Sequence, residues 1–296
     1  MKIINITTLI LFASIFLLCT SCEETLSAET PSYIEINSYD YIGNNNNNPP
    51  HPDGYDNYHS TNITDAWVSL DGQITGNFEI PCKIPILSEG NYTLTIYPGI
   101  KKNGISASRI KYPFYEKFET TITLLKDDVI NINPTTYYKE EIENNILFKT
   151  KGQFEISGTM FEKSNTSDTT VIIQNEVVFQ GQNSAAIHLD STRQYFDVRN
   201  TEELELTNNT FLEMDFKSNI EFNVGILIIN NNSLEQKEEL IRLYSTDEWK
   251  KIYLDLSPLI NTGNQNAKFK IYFEGNYNEM YTKNNVYIDN LKLVYN

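Results

Sequence analysis

After an apolar opening block, polar and apolar residues along the chain mostly alternate, and helical periods are rare. A period of two sends successive side chains to opposite faces of a strand, so each alternating run reads as a half-buried β-strand. The first run is 33–37, Tyr-Ile-Glu-Ile-Asn. A hairpin follows, with strands at 66–70 and 73–80 about Asp71-Gly72, a pair that tolerates the left-handed backbone of a two-residue turn. Further strands are expected at 92–97, 106–111, 118–125 and 129–133, and residues 134–145 read as a connector with room for one helical turn. Beyond it, strands are expected at 148–157, 169–173, 177–179, 184–189, 195–198, 211–217, 222–229, 240–244, 250–256, 267–273 and 286–294. Residues 233–243 also fit a helix, with Leu234, Leu240, Ile241 and Leu243 partly on one face, but the regular strand spacing favours a turn and a strand there. The expected fold class is all-β: two β-sandwich domains in tandem, residues 33–135 and 146–296, joined by the connector 136–145.

The same alternation assigns faces. In 211–217, Leu212, Met214 and Phe216 oppose Glu213, Asp215 and Lys217. In 268–274, Phe269, Ile271 and Phe273 oppose Lys268, Lys270, Tyr272 and Glu274, while Tyr287 and Asp289 oppose Ile288. One sheet is therefore expected to carry a face of tyrosines and charged groups, with Asp215, Tyr272, Glu274 and Tyr287 as candidate ligand contacts. Such a face suits a sugar, whose hydroxyls need fixed hydrogen-bonding partners while its C–H faces lie on aromatic rings; it also suits a plain solvated sheet. Trp67 and Trp249 sit in strands among apolar residues and are read as core.

Charge removes one class of partner. With 39 acidic against 23 basic side chains, a net −16, the chain would repel a phosphate backbone, and no nucleic-acid binding is expected. At 40% hydrophobic, with 19 Tyr and 15 Phe, it can fill substantial cores. Residues 43–62 are the exception: five consecutive Asn, several Pro and little to bury make an exposed loop. Its His51, Asp53, Asp56 and His59 match no metal-ligand spacing.

Lys2 followed by the apolar run 3–18 reads as a signal peptide, residues 1–21. Its end, Leu18-Cys19-Thr20-Ser21-Cys22, resembles a bacterial lipobox, although Cys19 stands where a small residue is usual. The resemblance implies lipidation at Cys22, a polar tether over 22–32, and a partner in the membrane itself. Glu23-Glu24 resembles the acidic tag of surface lipoproteins of the Bacteroidota, which implies an outer-membrane location facing outward. Cys82 would then be the sole remaining thiol, read as a small buried residue and not as a nucleophile.

Two further resemblances concern the domains. The order strand, Asp71-Gly72, Gly76, a Pro-bounded strand and then Glu89-Gly90-Asn91-Tyr92-Thr93 resembles small surface β-sandwiches of the PEGA or transthyretin-like type. In the second half, Phe179-Gln180-Gly181-Gln182-Asn183-Ser184, then Glu248-Trp249-Lys250, then Ile288-Asp289-Asn290 resemble, in that order, the jelly-roll carbohydrate-binding modules. This implies a jelly-roll-like second domain and glycan binding. Several such modules hold a structural Ca²⁺ between the first and last strands, which here implies Glu155 and Asp289 as ligands; Asp289 as a metal-free cap is the other reading.

Catalysis finds little support. There is no Gly-x-Ser-x-Gly elbow, no His-Glu-x-x-His and no phosphate-cradling loop, and His188 lies in the apolar run Ala185-Ala186-Ile187-His188-Leu189. The expected function is a non-catalytic surface lipoprotein that binds carbohydrate through its C-terminal sandwich. A structural or adhesive protein that binds another surface protein is the alternative, and a glycan hydrolase the third.

Overall fold

A computed structural model describes residues 30–42, 60–230 and 235–296. The expected signal peptide, Cys22, most of the tether and the Asn-rich residues 43–59 lie outside the described residues. Within them the chain is all-β, and its only α-helix is the four-residue turn Ser257–Ile260.

The first unit holds β1 (Ser32–Ile36), β2 (Asp40–Tyr41), β3 (Asp65–Leu70), β4 (Gln73–Glu79), β5 (Cys82–Ile86), β6 (Gly90–Lys101), β7 (Arg109–Lys111), β8 (Phe118–Leu124), β9 (Val129–Ile132) and β10 (Thr135–Thr136). One sheet runs β5-β1-β9, the other β4-β3-β6-β7 with β8 also on β6, while β2 pairs with β10. The alternating isoleucines of β1 explain the arrangement: Ile34 and Ile36 point inward beside Ile84 of β5 and Ile130 and Ile132 of β9. They meet Val68, Leu94, Ile96, Ile122 and Leu124 of the other sheet in one core. Asp71 (φ 46) and Gly72 (φ 78) take the left-handed turn that their sequence favours.

The second unit holds β11 (Ile146–Leu147), β12 (Phe161–Lys163), β13 (Ile172–Gln174), β14 (Ser184–Leu189), β15 (Tyr195–Asn200), β16 (Thr210–Ser218), β17 (Phe222–Ile229), β18 (Glu235–Leu243), β19 (Thr246–Asp255), β20 (Lys268–Asn276) and β21 (Asn284–Tyr295). A six-stranded sheet runs β13-β14-β21-β16-β19 with β11 also on β21, and a five-stranded sheet runs β12-β15-β20-β17-β18. Apart from the hairpins β13–β14 and β17–β18, consecutive strands change sheets, as in a jelly roll, and the inward rows of both sheets form a large shared core that includes Phe196, Leu212, Met214, Ile226, Phe273 and Leu293. Full burial of each such side chain is worth about 1.5–3 kcal/mol.

The two units share a third cluster. Ile100, Tyr112, Phe114, Tyr115, Tyr138 and Ile142 from the first unit and its connector pack against Phe211, Tyr253 and Val294 of the six-stranded sheet. The end of β6 also joins the edge of β19, where the Asn103 N–H donates to the Tyr253 carbonyl at 2.8 Å. The connector is thus buried at Tyr138 and Ile142, with a 3-10 turn over Glu140–Asn145, and is not an open hinge.

Three expectations need correction. No strand forms over 148–157: Phe148 and Phe154 adopt positive φ, and Gly152 lies so close to the Leu291 carbonyl that a Cβ would sit 1.9 Å from its oxygen. Residues 177–179 form no strand either: the Val177 N–H donates to the Gln174 side-chain amide oxygen and the Phe179 N–H to the Asp289 carboxylate. Trp67 and Trp249 are half-buried on outer faces and belong to neither main core.

Candidate functional site

The five-stranded sheet has an outer face built by the polar positions of its alternation. Tyr195, Asp197 and Arg199 come from β15, Tyr272 and Glu274 from β20, and Glu235 and Lys237 from β18. Long ion pairs reach across this face. Arg199 meets Glu235 at 2.9 Å over the two strands between them, and Lys237 meets Asp197 at 3.1 Å and Glu274 at 2.9 Å. The face is therefore a trough whose middle is roofed by charge. Tyr272 lies beneath that roof, 1% exposed, with the Lys237 ammonium 4.4 Å above its ring. Gly225 on β17 makes room for it: a Cβ there would come within 2.6 Å of the ring. Burial, and then Glu274, push the Tyr272 phenol above its ordinary pKa. The Asp197 Oδ1 and the Arg199 Nε atoms are buried there without a hydrogen-bond partner.

Glu274 marks the open end of the trough. Tyr195 donates to it at 2.6 Å, and although burial works to raise its pKa, that bond and Lys237 outweigh burial and hold the carboxyl below its ordinary value. Beyond it lies a cleft of about 310 Å³, lined by Asn219, Glu221, Asn223, Arg242, Asn276 and Asn278 around the 42%-exposed Tyr281. Amides, carboxylates and a guanidinium supply both donors and acceptors in fixed positions, and Tyr281 offers a ring. The chemistry suits a hydroxyl-rich ligand. Glu274 itself does not suit the acid role in glycoside hydrolysis, which needs a carboxylic acid with a raised pKa, because it is shifted the other way.

The expected site residues are divided among three places. Tyr272 and Glu274 share the trough. Asp215 is on the other sheet, 1% exposed, where it accepts from Ser60 and, at 2.9 Å, from Asn290 under the first unit. Alternation had correctly taken Asp215 out of the core but had joined it to the wrong sheet, and Tyr272, expected on a solvated face, is roofed. Tyr287, on the same sheet as Asp215 but beyond the covered region, is half-buried, 6.5 Å from Trp249 and 6.1 Å from His188 between ring centroids. Ser60, expected in the exposed loop, is buried at the contact between units, while Asn62 stays exposed as expected yet donates its N–H to the Tyr253 hydroxyl at 3.0 Å.

Glu155 and Asp289 hold backbone. Glu155 accepts from the Gln182 N–H at 2.9 Å and the Asn183 N–H at 3.1 Å, and Asp289 from the N–H groups of Phe179, Gln180 and Asn290. N–H donors occupy the oxygens that would face a cation, and among the described residues no group of three or more His, Cys, Asp or Glu side chains is placed to hold a metal. As arranged, the pair does not fit a calcium site. Burial raises the Asp289 carboxyl to about 7, outweighing the three N–H donors that favour its charged form. The half-buried Cys82 thiol is free and is also shifted up by burial.

Sequence reading missed Tyr195, Asp197, Arg199 and Lys237. The first three were findable, since 195–199 alternates as plainly as 268–274 does. Lys237 was not, because its strand was expected to start only at residue 240.

The sequence matches no family model and no curated protein. Similar solved structures include a carbohydrate-binding module of the β-sandwich superfamily (12% identity, TM-score 0.37, 78% of this chain and 85% of that one). A xylan-binding domain of carbohydrate-binding module family 22 matches at 13% identity and TM-score 0.34, covering 49% of this chain and 91% of its own. A family 61 module in complex with β-1,4-galactotriose matches at 17% identity and TM-score 0.31, covering 52% and 97%.

Proposed function

We propose that this chain is a non-catalytic surface lipoprotein, anchored through Cys22 in the outer membrane and facing outward, whose C-terminal sandwich binds carbohydrate. The observation that supports binding is the cleft at the end of the trough, where Glu274, four asparagines and Arg242 surround the exposed Tyr281 ring. Anchoring rests on the sequence Leu18–Cys22 and the acidic pair after it.

A glycan array probed with the full mature chain tests the binding. Loss of a hydrogen-bonding partner costs about 1–3 kcal/mol, so Asn276→Ala and Tyr281→Ala should each weaken a hit roughly 5- to 150-fold while leaving the fold intact. No hit, or one indifferent to both substitutions, would transfer the case to a protein partner. For anchoring, metabolic palmitate labelling should disappear in Cys22→Ser, and unchanged labelling would end the lipoprotein reading.

A further inference from the structure

The six-stranded sheet leaves one region of its outer face uncovered by the first unit, and aromatic rings gather there. His188 on β14, Tyr287 on β21, Trp249 on β19 and Phe179 from the preceding loop form a continuous strip, with centroids 6.1, 6.5 and 5.7 Å apart in that order. Tyr287, Trp249 and His188 are half-buried and Phe179 is 43% exposed. We propose that this strip is a second saccharide-binding surface, separate from the cleft, which stacks the pyranose rings of a soluble polysaccharide.

Three observations carry it. First, Phe179 is held in place. An exposed phenylalanine on a loop would ordinarily turn inward or move, yet the Phe179 and Gln180 N–H groups are fixed by the fully buried Asp289, and Gln182 and Asn183 by Glu155. Two carboxylates therefore act as positioning residues that order the loop before any ligand arrives, which removes an entropic penalty from binding.

Second, the strip runs into fixed polar groups. A cleft of about 440 Å³ beside Tyr287 and His188 is lined by Glu176, Asp190, Arg193, Lys283 and Asn285. Asn285 is already bonded to the His188 ring at 2.7 Å. Ring faces next to an amide- and charge-lined hollow match a hydroxylated ring, which needs both. Third, neighbouring rings are inclined by 51–77°. Rings so inclined share no single plane, which fits successive units of a chain that twists and does not fit one flat crystalline surface.

The chain has two tryptophans, so Trp67→Phe leaves Trp249 as the only one and makes it a reporter of the strip. The full mature Trp67→Phe chain would be titrated with soluble xylan, β-1,4-galactan and mixed-linkage β-glucan, with emission and calorimetry read on the same samples. The expected result is a saturable shift of Trp249 emission with at least one glycan, weakened about tenfold, or about 1.4 kcal/mol, by Phe179→Ala and by Tyr287→Ala but unchanged by Tyr281→Ala in the cleft. Glu155→Ala, which frees the loop without touching a ring, should weaken it as well. Calorimetric binding that Tyr281→Ala abolishes while Trp249 stays silent overturns the strip and leaves the cleft reading standing. An emission shift that Tyr281→Ala also abolishes overturns it too, since the two surfaces would then be one site. Absence of binding by both methods overturns the strip for these glycans, while the array decides the cleft separately.

Discussion

Glu213→Ala is expected to lower the stability of the chain by about 3–5 kcal/mol, the usual loss when one partner of a buried ion pair is removed. Glu213 is fully buried between the units and accepts hydrogen bonds from Tyr112 at 2.5 Å and Tyr138 at 2.8 Å. Its ion pair with Lys251, at 3.3 Å, is nearly as enclosed, with the lysine side chain 3% exposed. Truncation strands two hydroxyls, at about 1–3 kcal/mol each, and leaves an ammonium without its counter-charge where water is excluded. These terms share one site and do not add, so the ion-pair figure sets the scale. Glu213→Leu combined with Lys251→Met removes both charges, and should be about 2 kcal/mol more stable than Glu213→Ala. Urea unfolding at pH 7, followed by fluorescence and circular dichroism, measures both. The parent chain should unfold in one transition because both units share these contacts, and Glu213→Ala should separate the two probes. A loss below about 1 kcal/mol, or strict additivity with Lys251→Met, would refute the view of Glu213 as the junction between units.

Stability should also follow pH in a way that ordinary surface carboxylates do not produce. Burial raises Asp289 to about 7, above its unfolded value, so the folded chain holds a proton that the unfolded chain has released, and Tm should fall as pH rises from about 4 to 7. Burial lowers Lys292 to about 8, so stability should recover as pH climbs above that value toward about 10. Asp289→Asn should flatten the lower limb, and a Tm that is constant or rises from pH 5 to 7 in the parent chain would contradict this. Gly225→Ala should cost about 1–3 kcal/mol by overpacking, since its Cβ would meet the Glu238 carbonyl oxygen at 2.2 Å as well as the Tyr272 ring. It should also reduce glycan affinity at the cleft by displacing β20; an alanine variant of parental stability would show that the sheet yields there.

The fold class was readable because strand alternation is a local signal, and 184–189, 222–229 and the Asp71-Gly72 hairpin emerged nearly residue for residue. The site was readable only in part, for a reason that Asp215, Tyr272 and Tyr287 show together. Alternation says that a side chain leaves the core, and is silent on what it then meets. Asp215 meets the first unit, Tyr272 meets Lys237 from two strands earlier in the chain, and Tyr287 meets the Trp249 and His188 rings beside a charge-lined cleft. Each outcome depends on sheet order and on the register of distant strands. The difference at 148–157 is of another kind: Phe148, Phe154 and Ile156 read as a strand, but Gly152 wedges the backbone against Leu291.

The same contacts decide how the second sandwich has to be studied. Its six-stranded sheet presents Glu213, Asp215, Lys251, Asp289 and Lys292, all under 9% exposed, on one outer face, together with Phe211, Tyr253 and Val294. A solvated face would not carry so many enclosed charges beside bare aromatic groups. The first unit partners part of this face, since Tyr112 and Tyr138 donate to Glu213, Ser60 to Asp215 and the Asn62 N–H to Tyr253, while the Asp215 Oδ1 and Lys251 Nζ have no hydrogen-bond partner. Cut free at residue 146, the sandwich would keep its core but expose that apolar patch and lose every one of those partners. The first unit is therefore a structural component of the second, and binding measured on an isolated C-terminal fragment would report on a damaged sheet. The aromatic strip and the loop clamped by Asp289 lie on that sheet, so the whole chain is the form in which to test them.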